Sequence, residues 1–257
     1  MEFVQFDIED RTGYITLNRP DKRNALNDQM VSELKQAFTS ASESNEVKVI
    51  VLRANGDVFC AGADLASLQK LQKNTYKENL QDSIHLKELF QQIYTLDKVV
   101  VARINGHAIA GGCGLATVCD FSFAVPEAKF GYTEVRIGFV PAIVKVFLLR
   151  KLGEARAREL LLTGELVSAA DAQRYGMINK VTDAADLDRE IGEFTNMLIT
   201  KNSGQSMAFT KRMIAEVQSM TLEDGLNYAA EMNAKARASK DCQKGIASFL
   251  NREKIEW

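Results

Sequence analysis

The sequence predicts an α/β fold, on three observations. Short strand patterns alternate with helix patterns over the first half. After about Pro141 the pattern turns almost wholly helical. The chain has 257 residues and no low-complexity linker, which suits one large domain or two small ones. The expected organisation is a core over residues 1–190 and a helical C-terminal subdomain over 191–257.

Phe3 to Ile8 alternates apolar and polar residues, and Gly13 to Asn18 does so again after the turn-like Glu9-Asp10-Arg11-Thr12. Period-two alternation across a turn predicts a hairpin. Asn27 is placed to cap a helix whose apolar face is Met30, Leu34, Ala37, Phe38 and Ala41. Lys48 to Arg53 and Val99 to Ile104 are apolar runs with β-branched residues, the pattern of strands buried on both faces. Between them a helix is predicted from about Thr75 to Leu96, with Leu80, Ile84, Leu89 and Ile93 on one side. Phe121 to Val125 and Ile178 to Thr182 add strands. Pro141 suits the first turn of the next helix, with Gly153 and Gly164 as stops. Ser168-Ala169-Ala170-Asp171 resembles a capping box for a short helix closed by Gly176. Three or four helices follow Ala184. Phe249, Leu250 and Trp257 would pack on the core or on another subunit.

Composition excludes several classes. Apolar residues make up 46% and charged residues 26%, as in an ordinary globular protein. The net charge of −2 gives no basic footprint for nucleic acid and no patch for an anionic membrane. No apolar run approaches the ~18 residues of a membrane span. Met1-Glu2-Phe3-Val4 lacks the basic start and apolar core of a secretory signal. The expected location is the cytoplasm. The four cysteines, Cys60, Cys113, Cys119 and Cys242, form no Cys-x-x-Cys pair, and the only histidines are His85 and His107. No zinc or other metal site is expected.

Two glycine-bearing turns carry the chemical interest. Val58-Phe59-Cys60-Ala61-Gly62-Ala63-Asp64 and Ala110-Gly111-Gly112-Cys113-Gly114 each follow a strand and lead toward a helix. Small residues let a ligand approach the backbone closely. N–H groups at a helix start are unpaired and point outward. Two of them, one from each turn, can hold an oxygen that gains negative charge, an oxyanion hole. Tight packing is the alternative reading of the same glycines. Neither turn is a Gly-x-Gly-x-x-Gly or a Walker loop, so phosphate cradling is not indicated.

Five segments in order resemble the enoyl-CoA hydratase/isomerase (crotonase) family. They are Asn18-Arg19-Pro20-Asp21-Lys22-Arg23-Asn24-Ala25-Leu26, Ala61-Gly62-Ala63-Asp64, Asn105-Gly106 through Gly112, Leu162-Thr163-Gly164-Glu165, and Ala169-Ala170-Asp171 through Ile178. The resemblance implies a ββα spiral core and a homotrimer or homohexamer. It places an acyl-CoA thioester carbonyl between the N–H groups of Ala61 and Gly111. It places the CoA against Lys22, Ala25, Ala63, Asp64 and Leu65. No cofactor beyond the CoA moiety of the substrate is expected.

The same resemblance raises an acid–base question. Two-acid hydratases of the family have glutamates at the positions of Gly114 and Glu134. This chain keeps Glu134 only. One carboxylate serves either hydration of a 2-enoyl-CoA or 3-enoyl to 2-enoyl isomerisation. The segment Glu134 to Ile143 resembles 3-methylglutaconyl-CoA hydratases, which favours hydration of a branched substrate. Ala142-Ile143-Val144-Lys145-Val146-Phe147 replaces the glycine-rich segment of straight-chain hydratases, and Lys145 is a candidate partner for a distal carboxylate. His85 lies where dehalogenases of the family use a histidine, but Pro141 replaces their aspartate. Cys113, if acidified by a helix start, would allow a thiol-dependent hydrolase. A non-catalytic CoA-ester binder is the remaining alternative.

Overall fold

The computed structural model describes residues 1–257. β1 (Val4–Glu9) and β2 (Thr12–Leu17) form the antiparallel hairpin. Its two turn residues, Asp10 and Arg11, both have positive φ (45° and 63°), as a right-twisted two-residue hairpin requires. α1 (Asp28–Glu43) starts where Asn27 accepts the Met30 N–H at 2.8 Å. Its five predicted apolar residues are all fully buried.

The chain then repeats one motif. β3 (Val49–Ala54) is followed by β4 (Val58–Cys60), α2 (Leu65–Leu71) and α3 (Tyr76–Thr95). β5 (Val99–Ile104) is followed by β6 (His107–Ile109) and α4 (Gly111–Val118). β7 (Phe121–Ala124) is followed by β8 (Lys129–Gly131) and α5 (Val144–Thr163). The first strand of each unit joins a six-stranded sheet of order β1-β2-β3-β5-β7-β10, where β10 is Lys180–Val181. The second joins a four-stranded sheet of order β4-β6-β8-β9, where β9 is Val167–Ser168. Each turn of this ββα spiral therefore adds one strand to each sheet and one helical layer outside. β3 and β5 run parallel to their neighbours in mid-sheet, which is why their sequences show no polar alternation. Thr75 and Glu78 close a capping box at the start of α3.

The helical half departs from expectation in two places. α5 begins at Val144, and Pro141 lies before it, its carbonyl accepting the Lys145 N–H at 3.1 Å. Gly153, at φ 72°, interrupts α5 rather than ending it, and Gly164 at φ 66° caps it. Ser168 caps α6 (Ala169–Arg174) through the Asp171 N–H.

The expected boundary at residue 190 falls inside α7 (Leu187–Lys201), whose Leu187, Ile191, Leu198 and Ile199 are buried. The buried Lys48 ties α7 to the sheet by donating to the Ile199 carbonyl at 2.6 Å. α8 (Gly204–Val217) is held through Lys211, which donates to the carbonyls of Ile93 and Lys98 and to Asp120. α9 (Leu222–Arg237) and α10 (Lys240–Asn251) complete the chain and leave Leu222, Leu226, Phe249 and Leu250 exposed. No helix is long and apolar enough to cross a membrane.

Candidate active site

Three segments converge on the first glycine turn. The loop before α1 bridges to it twice: Leu26 N–H donates to Gly62 O at 2.7 Å, and Asp64 N–H to Leu26 O at 2.8 Å. Asn24 braces that loop from a fully buried, left-handed position (φ 53°). Its amide accepts the Arg19 N–H and donates to the carbonyls of Asn55 and Val58, each at 2.9 Å. Asp64 caps α2 through the N–H groups of Ala66 and Ser67 and takes the Arg19 guanidinium on its other oxygen at 2.7 Å. Burial opposes ionisation of Asp64. The Arg19 hydrogen bond and the two N–H donors outweigh it and hold the carboxyl below its ordinary range. Asparagine at 64 keeps the cap but loses the charge that Arg19 faces. We expect Asp64→Asn to cost about 2 kcal/mol, read as a lower urea midpoint. Because the native carboxyl is depressed, the deficit should shrink as pH falls through its folded titration.

The second turn is held just as firmly. Ala110 N–H donates to Gly131 O at 2.7 Å, and Ala110 O accepts the first intrahelical bond of α4 from Gly114 N–H at 2.9 Å. Ala110 itself has φ 51° and ψ −121°, a conformation that costs a residue with a Cβ about 1 kcal/mol or more. Ala110→Gly should therefore raise the thermal midpoint by a few degrees; an unchanged or lower midpoint would show that Ala110 is unstrained. The turns touch: a methyl added to Gly62 would lie 2.9 Å from the Ala110 Cβ and 3.5 Å from Gly111 N.

Donor positions bear on the expectation of an Ala61–Gly111 pair. The Ala61 N–H is engaged inside the protein, donating to Arg23 O at 3.0 Å. The N–H groups of Ala63 and Gly111 have no acceptor in the chain. Sequence reasoning missed the support behind this arrangement, namely Arg19, Asn24 and the Arg23 carbonyl. Only the asparagine carried a local signal, since Asn tolerates the left-handed region.

Glu134 opens a one-turn 3-10 helix (Glu134–Ile137) after β8. Its Oε2 is buried without a hydrogen-bond partner. Burial, only partly offset by its own backbone N–H, raises its pKa above the ordinary carboxylate value. Cys113 and Tyr132, both fully buried, lie close enough to feel its charge. Cys113 is fully buried with its Sγ against the Met177 Sδ, and burial pushes the thiol up to about 12, which argues against the acidified thiol that a thiol-dependent hydrolase needs. His85 faces α1, within 3.1 Å of the Ser32 hydroxyl, and the His107 Nδ1 accepts the Lys129 N–H at 3.3 Å.

Of the remaining candidates, Lys22, Ala63 and Leu65 are exposed around the first turn, and Ala25 is buried beneath it. Lys145 is exposed on α5. A cavity of about 860 Å³ lies elsewhere, between the C-terminal end of α4 and helices α7, α8 and α10; none of Ala63, Gly111 and Glu134 lines it.

This two-sheet spiral is the crotonase fold of solved enoyl-CoA hydratases. One from Shewanella pealeana superposes with a TM-score of 0.94 at 28% identity, covering 99% of this chain and 96% of its own. Another from Mycobacterium smegmatis gives 0.92 at 29%, covering 99% and 98%. The enoyl-CoA hydratase/isomerase family model matches residues 7–257. A Thermus thermophilus protein provisionally named an enoyl-CoA hydratase is 40% identical over 93% of this chain and 94% of its own. The crotonyl-CoA hydratase of Syntrophomonas wolfei is 30% identical over 100% and 98%. The chain belongs to the enoyl-CoA hydratase/isomerase family and is an enzyme of that family, with an acyl-CoA substrate.

Proposed function

We propose that this enzyme hydrates 2-enoyl-CoA thioesters with Glu134 as its one acid–base group. The observation that carries this reading is the Glu134 carboxyl: half-buried, raised in pKa, and with one oxygen buried and unpartnered. The N–H groups of Ala63 and Gly111 are the proposed donors to the thioester oxygen. They replace the Ala61–Gly111 pair because Ala61 already serves Arg23. The Glu134 carboxylate takes a proton from water as the hydroxyl adds to C3. The electron pair moves through C2 to the thioester oxygen, where two fixed N–H dipoles stabilise the enolate more than the neutral carbonyl. Protonated Glu134 then returns the proton to C2, and the carboxylate is restored. A raised pKa suits a group that must both accept and return a proton.

The CoA lies on the exposed backbone of Ala63 and Leu65, with Lys22 near its phosphates. The resemblance of Glu134 to Ile143 to 3-methylglutaconyl-CoA hydratases supports a branched acyl group. The exposed Leu222, Leu226, Phe249 and Leu250 on α9 and α10 support assembly into a homotrimer or homohexamer. Isomerisation of 3-enoyl-CoA is the second reading, favoured by the absence of any charged group acting on Glu134.

Incubation with crotonyl-CoA, a 3-enoyl-CoA and 3-methylglutaconyl-CoA, followed by mass spectrometry, separates these readings. Hydration adds the mass of water. A mass-neutral shift of the double bond would replace hydration with isomerisation. CoA-ester binding without any turnover would leave a binder.

A further inference from the structure

We infer that Val144 is a specificity-determining residue that confines the active site to a single carboxylate. The steric part stands on the fold; its chemical consequence rests on the hydratase reading above.

Gly114 lies one helical turn beyond Gly111 on α4, and residues three apart share a helix face. A side chain at 114 would therefore rise on the face that carries the free Gly111 N–H. That space is filled from two other elements. A Cβ built on Gly114 would lie 2.3 Å from Val144 Cγ1, and 2.9 and 3.1 Å from Phe90 Cε1 and Cζ. Val144 is 4% exposed and Phe90 is fully buried. Phe90 is backed in turn by Phe147, with ring centroids 5.9 Å apart. Neither wall residue can swing into solvent, so the glycine at 114 is imposed by packing as much as by chemistry.

No other group takes the place of an acid at 114. The shift in Glu134 comes from burial, partly offset by its own backbone N–H, with no charged neighbour contributing. Tyr132 and Thr117, both beside Cys113, satisfy one another, hydroxyl to hydroxyl at 2.9 Å. Next to the start of α4 the site therefore presents an isopropyl and a phenyl group where a second carboxylate would stand. Gly114 and Val144 act as a pair: α5 can carry a β-branched residue at 144 only while 114 has no side chain. An acid at 114 is admitted only when 144 is reduced.

The test has two arms. The first is a thermal cycle of Gly114→Ala, Val144→Ala and the double variant. Gly114→Ala alone should lower the midpoint by roughly 4–8 °C. In the Val144→Ala background the same substitution should cost less than half as much. Equal costs in the two backgrounds, the additivity of independent sites, would overturn the pairing. So would a single variant as stable as the parent. The second arm compares pH–rate profiles of the parent and of Gly114→Glu combined with Val144→Gly. The parent should show one ionisation on its acid limb, and the double variant two. A double variant that folds and turns over with a single ionisation overturns the role of Val144 in setting the carboxylate count. The thermal arm needs no turnover. Coupling there with no activity on any enoyl-CoA supports the packing relation and removes the hydratase reading alone.

Discussion

Glu134→Gln should reduce kcat by about 10³-fold or more while leaving CoA-ester affinity within a few-fold of the parent. A positioned acid–base group contributes roughly 10²–10⁴ in rate, and here no second carboxylate shares the load. Two-acid sites retain one group after such a change; this site retains none. Glutamine has nearly the same volume and fits the same half-buried space. The free N–H groups of Ala63 and Gly111 are untouched, so ground-state binding should survive. The measurement is kcat and KM on the enoyl-CoA that turns over, with product-analogue affinity by calorimetry. Loss of affinity with kcat preserved would show that Glu134 binds substrate rather than moving its proton.

The same variant carries a stability signature of opposite sign. Burial without a partner raises the Glu134 pKa above its unfolded value. A carboxyl raised in the folded state is best tolerated when protonated. Its contribution to stability is lost as pH rises from the unfolded pKa through the folded one, where the unfolded state binds fewer protons. Glutamine removes that dependence. Glu134→Gln should therefore gain thermal midpoint on the parent as pH is raised through the acid range, and hold the gain at neutral pH. An enzyme that becomes inactive and more stable by one amide substitution marks a group kept for chemistry at a cost to the fold.

Why the core was legible and the site's support was not follows from range. The strands of the large sheet wrote themselves into sequence as apolar runs because parallel strands are covered on both faces. α1 announced itself by period and by the Asn27 cap. Those are local signals. The start of α5 misled because Pro141 is a sound first-turn residue in isolation. Its place before Val144 is set by the turn through Ala142 and Ile143. The proposed oxyanion donors illustrate the limit best. Ala61 and Ala63 are the same residue type two positions apart, and nothing local separates them. The Arg23 carbonyl does, by taking the Ala61 N–H from a loop almost forty residues earlier in the chain. The filled space at Gly114 depends likewise on Phe90 and Val144, which reach it from separate helices.

Gly112→Ala is a substitution for which the structure leaves almost no room. A Cβ there would lie 2.2 Å from the Cys60 carbonyl oxygen, 2.8 Å from its carbon and 2.7 Å from the Cys60 Cβ. Two of those atoms are backbone of β4, so no rotamer change relieves the contact. Either β4 or α4 must shift, and each starts or ends one of the two glycine turns. Overpacking typically costs about 1–3 kcal/mol when side chains can yield; against backbone the cost should exceed ~3 kcal/mol, a fall of roughly 10 °C in a chain of this size. Gly192, inside α7, is the control. A methyl there meets nothing within 4 Å, and alanine in a helix interior gains up to about 1 kcal/mol over glycine. The Gly112 variant should also lose kcat in whatever fraction remains folded, because separating the turns separates the Ala63 and Gly111 donors. Removing one such donor costs about 3 kcal/mol of barrier. A Gly112→Ala protein with parental midpoint and parental kcat would mean that the two turns do not need their close approach, and with that the paired-donor site would fail.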